Sequence, residues 1–241
     1  MARRGRKIRP HPNPPPLGGG GNSAAIPPPP PSGGGSGWGQ VHSHAPALYT
    51  NLRIGLLGGS FNPAHAGHRH ISLYALKALG LDQVWWLVSP QNPLKSRAGM
   101  GTLEERLAEA RRVARHPRIR VTDLECGLGT RYTADTIEQL RRRFPRTRFV
   151  WLMGADNLRQ IPRWRRWERI FHAVPIAVFS RPTYSLSALG GMAAQRFARH
   201  RVPDLRARGL ADAKPPAWTF LRNPLHPASA TAIRRARSRG S

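Results

Sequence analysis

The sequence has little cysteine, few acidic residues and no long apolar run. The single cysteine, Cys126, excludes an internal disulfide framework and favours a reducing compartment. No apolar run approaches the roughly 20 residues that span a bilayer. The basic start MARRGRKIRP is followed by prolines and glycines, which is not the pattern of a secretory signal. We therefore predict a soluble, cytoplasmic protein that does not contact a membrane.

Acidic residues number 12 against 39 lysines and arginines, so the 241-residue chain has a formal charge of +27. Only 4 of those basic residues are lysine, and the arginines are spread along the whole chain. A distribution of this kind is typical of solvated helix faces, such as RRRFPRTR (141–148), and does not predict a nucleic-acid partner. The positive field favours an anionic small substrate instead.

Residues 1–50 differ in composition from the remainder of the chain. They include HPNPPPLGGGGNSAAIPPPPPSGGGSG, which offers almost nothing apolar to bury. Because such a tract cannot offset the entropy lost on ordering, we predict a disordered extension over 1–50. Residues 51–241 have the composition and length of one globular domain.

Within that domain, strand-like runs alternate with amphipathic helical segments. A helix over 133–144 is predicted with Thr133 as its N-cap, and Thr102 and Glu105 form a capping-box pattern. The alternation predicts an α/β fold with a doubly wound parallel sheet, in which ligands bind beyond the carboxyl ends of the strands. The predicted strands cover 53–59, 83–90, 119–125, 148–154, 174–182 and 217–221, and the other helices cover 68–80, 102–116, 187–199 and a segment from about Ser229.

The stretch GLLGGSFNPAHAGHRH (55–70) lies where the first strand passes into the first helix. Its histidines, His65 and His68, are spaced so that both could bind a metal, but no Asp, Glu or Cys lies near them in the sequence. We therefore predict no metal site. A tight glycine turn with incidental histidines is a second interpretation.

A phosphate-binding loop explains more of the same stretch. Gly58 and Gly59 allow the backbone to approach a ligand, and Asn62-Pro63 forces a turn. His65 and His68 then bring two donors to the positive end of the first helix, which is a natural anion site. The stretch lacks both the Walker ending and the G-x-G-x-x-G spacing, so it is a phosphate loop of another kind.

GGSFNPAHAGH resembles the signature G-G-x-F-[DN]-P-x-H-x-G-H of the nucleotidyltransferase superfamily that includes nicotinate-mononucleotide and phosphopantetheine adenylyltransferases. Further resemblances follow in family order over residues 53–235, and Asn62 stands where many members have Asp. The segments typical of nicotinate-nucleotide adenylyltransferases in particular are RYTADT (131–136) and GADNLRQIPRWRRW (154–167). The others are SPQNPLKS (89–96), FSRP (179–182) and SATAIR (229–234).

The resemblance implies a Rossmann-like nucleotidyltransferase fold and a reaction of NAD biosynthesis. ATP and nicotinate mononucleotide would give nicotinate adenine dinucleotide (deamido-NAD) and pyrophosphate, with Mg²⁺ carried on the ATP phosphates. The attacking phosphate is already anionic at neutral pH, so no general base is needed. Catalysis then depends on in-line alignment of two phosphates and on charge stabilisation at the α-phosphate.

The resemblance also implies a site residue by residue. The charge-stabilising catalytic set is His65, His68, Lys95 and Arg234. The ATP-binding set is Gly58, Gly59, Ser60, Phe61, His65, His68, Asp156, Ser229, Thr231 and Arg234. The nicotinate mononucleotide-binding set is Asn62, Lys95, Thr133, Trp164 and Arg181.

Several alternatives stay open at this point. Asp156 either holds ribose hydroxyls or caps a helix. Trp164 either stacks on the pyridine ring or packs in the core, where we expect Trp167. The free N–H groups at Thr133 would receive the nicotinate carboxylate.

Alternatives to the function itself also stay open. One is phosphopantetheine or cytidylyl transfer, and another is a non-catalytic basic nucleotide-binding protein. A homo-oligomer is a further open alternative for the assembly of the chain.

Overall fold

The strands form one seven-stranded, all-parallel sheet. A computed structural model describes residues 49–90, 100–181, 185–228 and 230–237, and its strand order is β3-β2-β1-β4-β5-β7-β6. The predicted doubly wound parallel sheet is confirmed. The strands are β1 Arg53–Gly59, β2 Gln83–Val88, β3 Ile119–Thr122, β4 Arg148–Gly154, β5 Ile176–Phe179, β6 Arg201–Val202 and β7 Trp218–Leu221.

The helices connect successive strands. The α-helices are α1 Ala66–Ala78, α2 Leu103–Ala114, α3 Leu124–Gly127, α4 Thr133–Arg143, α5 Ala155–Gln160, α6 Trp167–Ala173, α7 Ser185–Leu189, α8 Met192–Arg196 and α9 Ala230–Arg237. Short 3-10 segments cover Ile161–Arg163, Ala198–His200 and Asp204–Asp212. Across the ranges that the structure describes, no helix is long and apolar enough to span a membrane.

The differences from the predicted elements have local causes. The single helix predicted over 187–199 is divided where α7 ends and α8 begins, at Gly190 and Gly191, because glycine favours helix ends. Strand β6 has two residues, too few to leave a periodic pattern. The capping box of α2 is confirmed: the Glu105 N–H donates to Thr102 Oγ1 at 3.2 Å, and the Thr102 N–H donates to Glu105 Oε2 at 2.8 Å.

Each face of the sheet is covered by its own apolar cluster. Along β2, Trp85 and Leu87 belong to one cluster, while Trp86 and Val88 belong to the other, and none of the four is exposed to solvent. A strand that is buried on both faces has a continuous run of apolar residues, and for this reason apolar and polar residues do not alternate in QVWWLV.

The order of the strands indicates where a ligand site is expected. β1 lies between β2 and β4, so the chain reverses its direction of winding across the sheet there. Crevices at such switch points, beyond the carboxyl ends of the strands, are where open α/β sheets bind ligands. The carboxyl ends of β1, β2, β4 and β5 are here called the ligand edge.

Candidate active site

The histidine motif forms the start of α1 at the ligand edge. His65 is the N-cap residue, and its backbone N–H donates to His68 Nδ1 at 3.2 Å. The two imidazole rings lie 3.8 Å apart between centroids. Because Nδ1 of His68 accepts this bond, the ring proton is assigned to Nε2. The first turn of α1 has no acidic residue, so it is open to an anion.

His65 is held as a neutral imidazole. Its side chain is 6% exposed, and burial lowers its pKa to about 4, with further lowering by the charge of Arg181 and by His226. Its Nδ1 is buried and has no hydrogen-bond partner among the described residues. A buried polar atom without a partner is costly, and at a site it indicates a group that a ligand completes.

Gly67 is the glycine that lets these histidines pack. A Cβ atom at this position would lie 2.9 Å from His65 Nδ1 and 3.1 Å from the carbonyl oxygen of Ala228. Any side chain would therefore displace the imidazole or the segment before α9. The glycine of the motif brings the late part of the chain against the first turn of α1.

The loop between β1 and α1 is anchored by an aromatic side chain in a constrained backbone. Phe61 has φ of +47°, which is uncommon for a non-glycine residue. Its ring is 2% exposed and stacks on Trp86, with centroids 5.0 Å apart. Since the ring lies in the core, only the backbone of Phe61 is available to a ligand.

The two motif glycines have different neighbours. A Cβ at Gly58 would lie 2.5 Å from the Trp151 ring, so this glycine is required by core packing. A Cβ at Gly59 would lie 3.6 Å from the Phe61 ring, an ordinary contact. Core packing therefore explains Gly58 without any close approach of the backbone to a ligand. Ser60 follows Gly59 directly after the end of β1.

Asn62 and Arg234 join the first loop to later parts of the chain. Asn62 Oδ1 accepts from the Gly101 N–H at 3.4 Å, and the Asn62 carbonyl accepts from Arg234 Nη1 at 2.6 Å. Arg234 Nη2 also donates to Thr231 Oγ1 at 3.4 Å. Helix α9 thus lies against the loop, and Arg234 and Thr231 remain exposed to solvent.

Asp156 and Arg181 face each other at the ends of β4 and β5. Arg181 Nε lies 3.7 Å from Asp156 Oδ1, and that oxygen is buried without a hydrogen bond among the described residues. A Cβ at Gly154 would collide with both side chains. Asp156 lies in the first turn of α5, whose N-cap is Gly154, so the helix-cap alternative for Asp156 is wrong.

The start of α4 and the segment before α6 form a second group of site residues. The N-cap of α4 is Tyr132, and Thr133 is the first helical residue, so the prediction of Thr133 as N-cap is wrong by one position. The Tyr132 carbonyl already accepts the N–H groups of Asp135 and Thr136. The N–H groups of Thr133 and Ala134 belong to the turn that has no partner inside the helix.

Trp164 and Trp167 are both half-buried and pack on the same core cluster. Trp167 lies edge-on to Phe171 and Phe197, each 5.9 Å away, which confirms its predicted core packing. Between the tryptophans, the Arg165 guanidinium lies 4.8 Å from the centroid of the Tyr132 ring. The segment that contains Trp164 therefore contacts the start of α4.

The structure brings the expected residues into two groups, except for two that it does not describe. Lys95 and Ser229 lie outside the described residues and stay predictions. Among the described residues no cluster of three or more His, Cys, Asp or Glu side chains is placed to hold a metal.

Sequence reasoning missed Arg106 and a crevice beside the histidines. Arg106 is 3% exposed and lies on the buried face of α2 with Leu107 and Ala110, so a charged residue within an apolar stripe was the available signal. The crevice has no linear motif, because its walls come from distant segments. It is lined by Gly67, His70, Ile71, Ser180, Arg181, Asn223 and His226.

Comparisons of sequence identify the family. A family model described as cytidylyltransferase-like matches residues 56–236. A Bradyrhizobium protein named nicotinate-nucleotide adenylyltransferase is 56% identical over 183 residues, which cover 76% of this chain and 95% of that protein. A Cereibacter sphaeroides protein of the same name is 58% identical over 181 residues, covering 75% of this chain and 96% of the relative.

Comparison of structures shows the same fold. The chain is similar to the Plasmodium falciparum nicotinic acid mononucleotide adenylyltransferase complexed with NaAD, with a TM-score of 0.55 and 15% sequence identity. The alignment covers 76% of this chain and 83% of that protein. At this identity the likeness shows the fold alone.

Proposed function

The chain belongs to the cytidylyltransferase-like family and, within it, to the nicotinate-nucleotide adenylyltransferases, and we propose that the ligand edge described above is where it acts. The enzyme joins ATP and nicotinate mononucleotide to give nicotinate adenine dinucleotide and pyrophosphate in NAD biosynthesis. An oxygen of the mononucleotide phosphate attacks the α-phosphorus of ATP, and the bond to the β-phosphate oxygen breaks. The attacking phosphate needs no base, because its second pKa lies near 6.

The observation that carries the proposal is the bond from the His65 N–H to His68 Nδ1. It assigns the ring proton of His68 to Nε2 at the positive end of α1, beside the neutral imidazole of His65. Donors fixed before the substrate arrives stabilise developing charge on the α-phosphate without reorganising. We assign this role to His68, with His65 beside it.

Cationic side chains complete the proposed site for the two phosphates. Arg234 in α9 would contact phosphate oxygens of ATP, Arg181 after β5 would contact the nicotinate mononucleotide, and Lys95 would be a third cation. When ATP binds, the guanidinium of Arg234 exchanges its bond to the Asn62 carbonyl for a phosphate oxygen. Asp156 would then accept from the ribose hydroxyls, through its buried oxygen.

ATP enters as its Mg²⁺ complex in this proposal. Mg²⁺ prefers several oxygen ligands, and the carboxylate described at the ligand edge, Asp156, is already opposite Arg181. The donor set of the protein therefore fits a metal that is held mainly by the ATP phosphates. We place the enzyme in the cytoplasm, where its exposed free thiol at Cys126 would stay reduced.

The nicotinate ring would bind between the start of α4 and Trp164. The N–H groups of Thr133 and Ala134 would donate to the ring carboxylate, and the indole would stack on the ring. A nicotinamide gains less there, because its amide is neutral and brings N–H donors that face other donors. Asn62, whose side chain accepts from the Gly101 N–H, would contact this substrate from the loop after β1.

Pyrophosphate release tests the proposal with three acceptors in parallel: nicotinate mononucleotide, nicotinamide mononucleotide and phosphopantetheine. We expect kcat/KM to be roughly ten- to a hundredfold higher for the nicotinate substrate than for the amide, which corresponds to one charge-assisted hydrogen bond. Equal values for the two mononucleotides would remove the argument from the start of α4. Turnover of phosphopantetheine alone would replace the proposed reaction.

A further inference from the structure

Arg106 ties together three segments at the ligand edge from inside the protein. Its Nη1 donates to the carbonyl oxygens of Ser60 at 2.8 Å and Ser89 at 2.7 Å, and its Nη2 donates to that of Pro90 at 3.0 Å. Its Nε donates to the Gly101 carbonyl at 3.0 Å. The acceptors lie in the loop after β1, the loop after β2 and the turn before α2.

The charge of Arg106 is solvated by these carbonyls rather than by a carboxylate. The side chain is 3% exposed, and in the described part of the chain no ion pair involves it. A buried charge is expensive unless it is fully hydrogen-bonded. Only a planar guanidinium presents enough donors in a fixed fork for four separate acceptors, whereas a lysine ammonium has three.

The two loops are also bonded directly to each other. The Ser89 N–H donates to the Gly59 carbonyl at 2.9 Å, which continues the β1–β2 ladder to the point where both loops begin. Ser89 also bonds the buried carboxyl of Glu125, which in turn accepts from Thr136 Oγ1 at 3.3 Å. Ser89 is therefore the place where the loop after β1, the loop after β2 and helix α4 meet.

We propose that Arg106 is a positioning residue for phosphoryl transfer. By bonding Ser60 and Ser89 with one nitrogen, it sets the distance between the loop that leads to the histidines and the loop after β2. The inference rests on the proposed function, since in-line attack requires two phosphates to be held in register by separate loops. A displacement of about 1 Å in such an arrangement can cost on the order of a hundredfold in rate.

The test compares Arg106→Lys with Arg118→Lys. Arg118 also donates to backbone carbonyls, those of Asp82 and Leu81, but it lies at the opposite end of β2. We expect Arg106→Lys to lower kcat by about 10- to 100-fold, with little change in the KM of either substrate. The amide of Ser89 should exchange faster in Arg106→Lys only. Arg118→Lys should keep the kcat of the wild type.

A purely structural role would move different quantities. It would lower the Tm of Arg106→Lys while kcat, measured well below that temperature, stayed at the wild-type value, and that result would overturn the proposal. Loss of the fold in both Arg106→Lys and Arg106→Met would overturn it too, because Arg106 would then be required by the whole domain. If the wild type does not use nicotinate mononucleotide, the proposed function fails, while Ser89 exchange still decides whether Arg106 positions the loops.

Discussion

The two groups of site residues are built in opposite ways. On the phosphate side, defined by Phe61, His65, His68 and Arg106, the first two side chains and Arg106 are at most 6% exposed, and they are held by buried rings and hydrogen bonds. On the ring side, defined by Tyr132, Thr133, Trp164, Arg165 and Arg166, the contacts are half-buried or exposed, and the Arg166–Asp135 ion pair has exposed side-chain fractions of 45% and 31%.

In the proposed function, this difference separates the residues assigned to chemistry from those assigned to substrate recognition. Hydrogen bonds in a buried, low-dielectric setting are stronger and more costly to disrupt than exposed contacts. Exposed ion pairs contribute about 0–1 kcal/mol, and exposed cation–π contacts about 0.5–1 kcal/mol. The phosphate side is therefore preorganised before substrate binds, while the ring side can be altered with little cost to the fold.

The largest expected effect is at His68. His68→Ala removes the Nε2–H donor, and we expect turnover to fall about 10²- to 10³-fold, the loss typical for a fixed donor to developing charge. The measurement is kcat under saturating substrates, with Tm as a check on folding. His172→Ala, which alters an exposed histidine on α6, is the control. A His68→Ala enzyme with wild-type kcat would make the phosphate side merely structural.

The pH dependence of stability tests how deeply the phosphate side is buried. The pKa of His65 is about 4 in the folded protein against 6.5 for the free side chain. As pH falls from 6.5 to 4, the unfolded chain takes up a proton here and the folded chain does not, so the free energy of unfolding decreases, by about 3 kcal/mol in total.

His65→Asn should lack this acid-induced decrease in the free energy of unfolding. The free energy of unfolding of each protein is measured with denaturant at pH 7 and near pH 4. Between these two pH values the wild type should lose more stability than the variant does. His172→Asn should run parallel to the wild type. Parallel curves for His65→Asn as well would mean that His65 titrates as if it were exposed.

Trp164, which precedes α6, and Trp167, its first residue, sharpen the same contrast. Trp167→Ala removes a ring packed on Phe171 and Phe197 and should cost about 3 kcal/mol of stability. Trp164→Ala should raise the KM for nicotinate mononucleotide roughly two- to tenfold, from the loss of about 0.5–1.5 kcal/mol of stacking. Steady-state kinetics and thermal melts distinguish them. An unchanged KM in Trp164→Ala would mean that Trp164 only packs against the core and does not stack on the substrate.

The smallest expected effect is at Arg165. Arg165→Ala removes the cation from the Tyr132 ring and should raise the KM for the mononucleotide about two- to fivefold, with kcat and Tm unchanged. Arg163→Ala changes the same charge at an exposed position in the same segment and is the control. A large fall in kcat at Arg165 would mean that the ring side is as preorganised as the phosphate side.

The sequence predicted what depends on local pattern. The histidine motif lies at the end of β1 as expected, because glycines and Asn62-Pro63 mark the turn and α1 follows directly. The parallel sheet followed from the alternation of strands and helices. The N-cap of α4 was predicted one residue late, because a threonine favours the N-cap position by propensity, whereas Tyr132 is the N-cap and Thr133 the first helical residue.

The rest depended on contacts between distant segments. No sequence pattern near Gly58 indicates that the Trp151 ring packs against it. The partners of Arg106 are backbone carbonyls, which every residue type has, so the sequence does not identify them. Asp156 was left between two roles because its neighbour across the sheet, Arg181, comes from the next strand. Side chains whose partners are backbone atoms or lie on other strands are the part of the site that one sequence does not reveal.

The position of β1 between β2 and β4 determines when the site can form during folding. Arg53 in β1 pairs with Arg148 in β4, so this pairing can form only after β1, β2 and β3 have been synthesised. Contacts of such high sequence separation form slowly, because the entropy of closing the loop is lost before the contacts contribute any favourable free energy. Asp156 and Arg181 follow that pairing, and the contact of Gly67 with Ala228 follows both. In the proposed function these late contacts complete the nucleotide site, so we expect nucleotide affinity to be acquired at the end of folding, long after the histidines have left the ribosome.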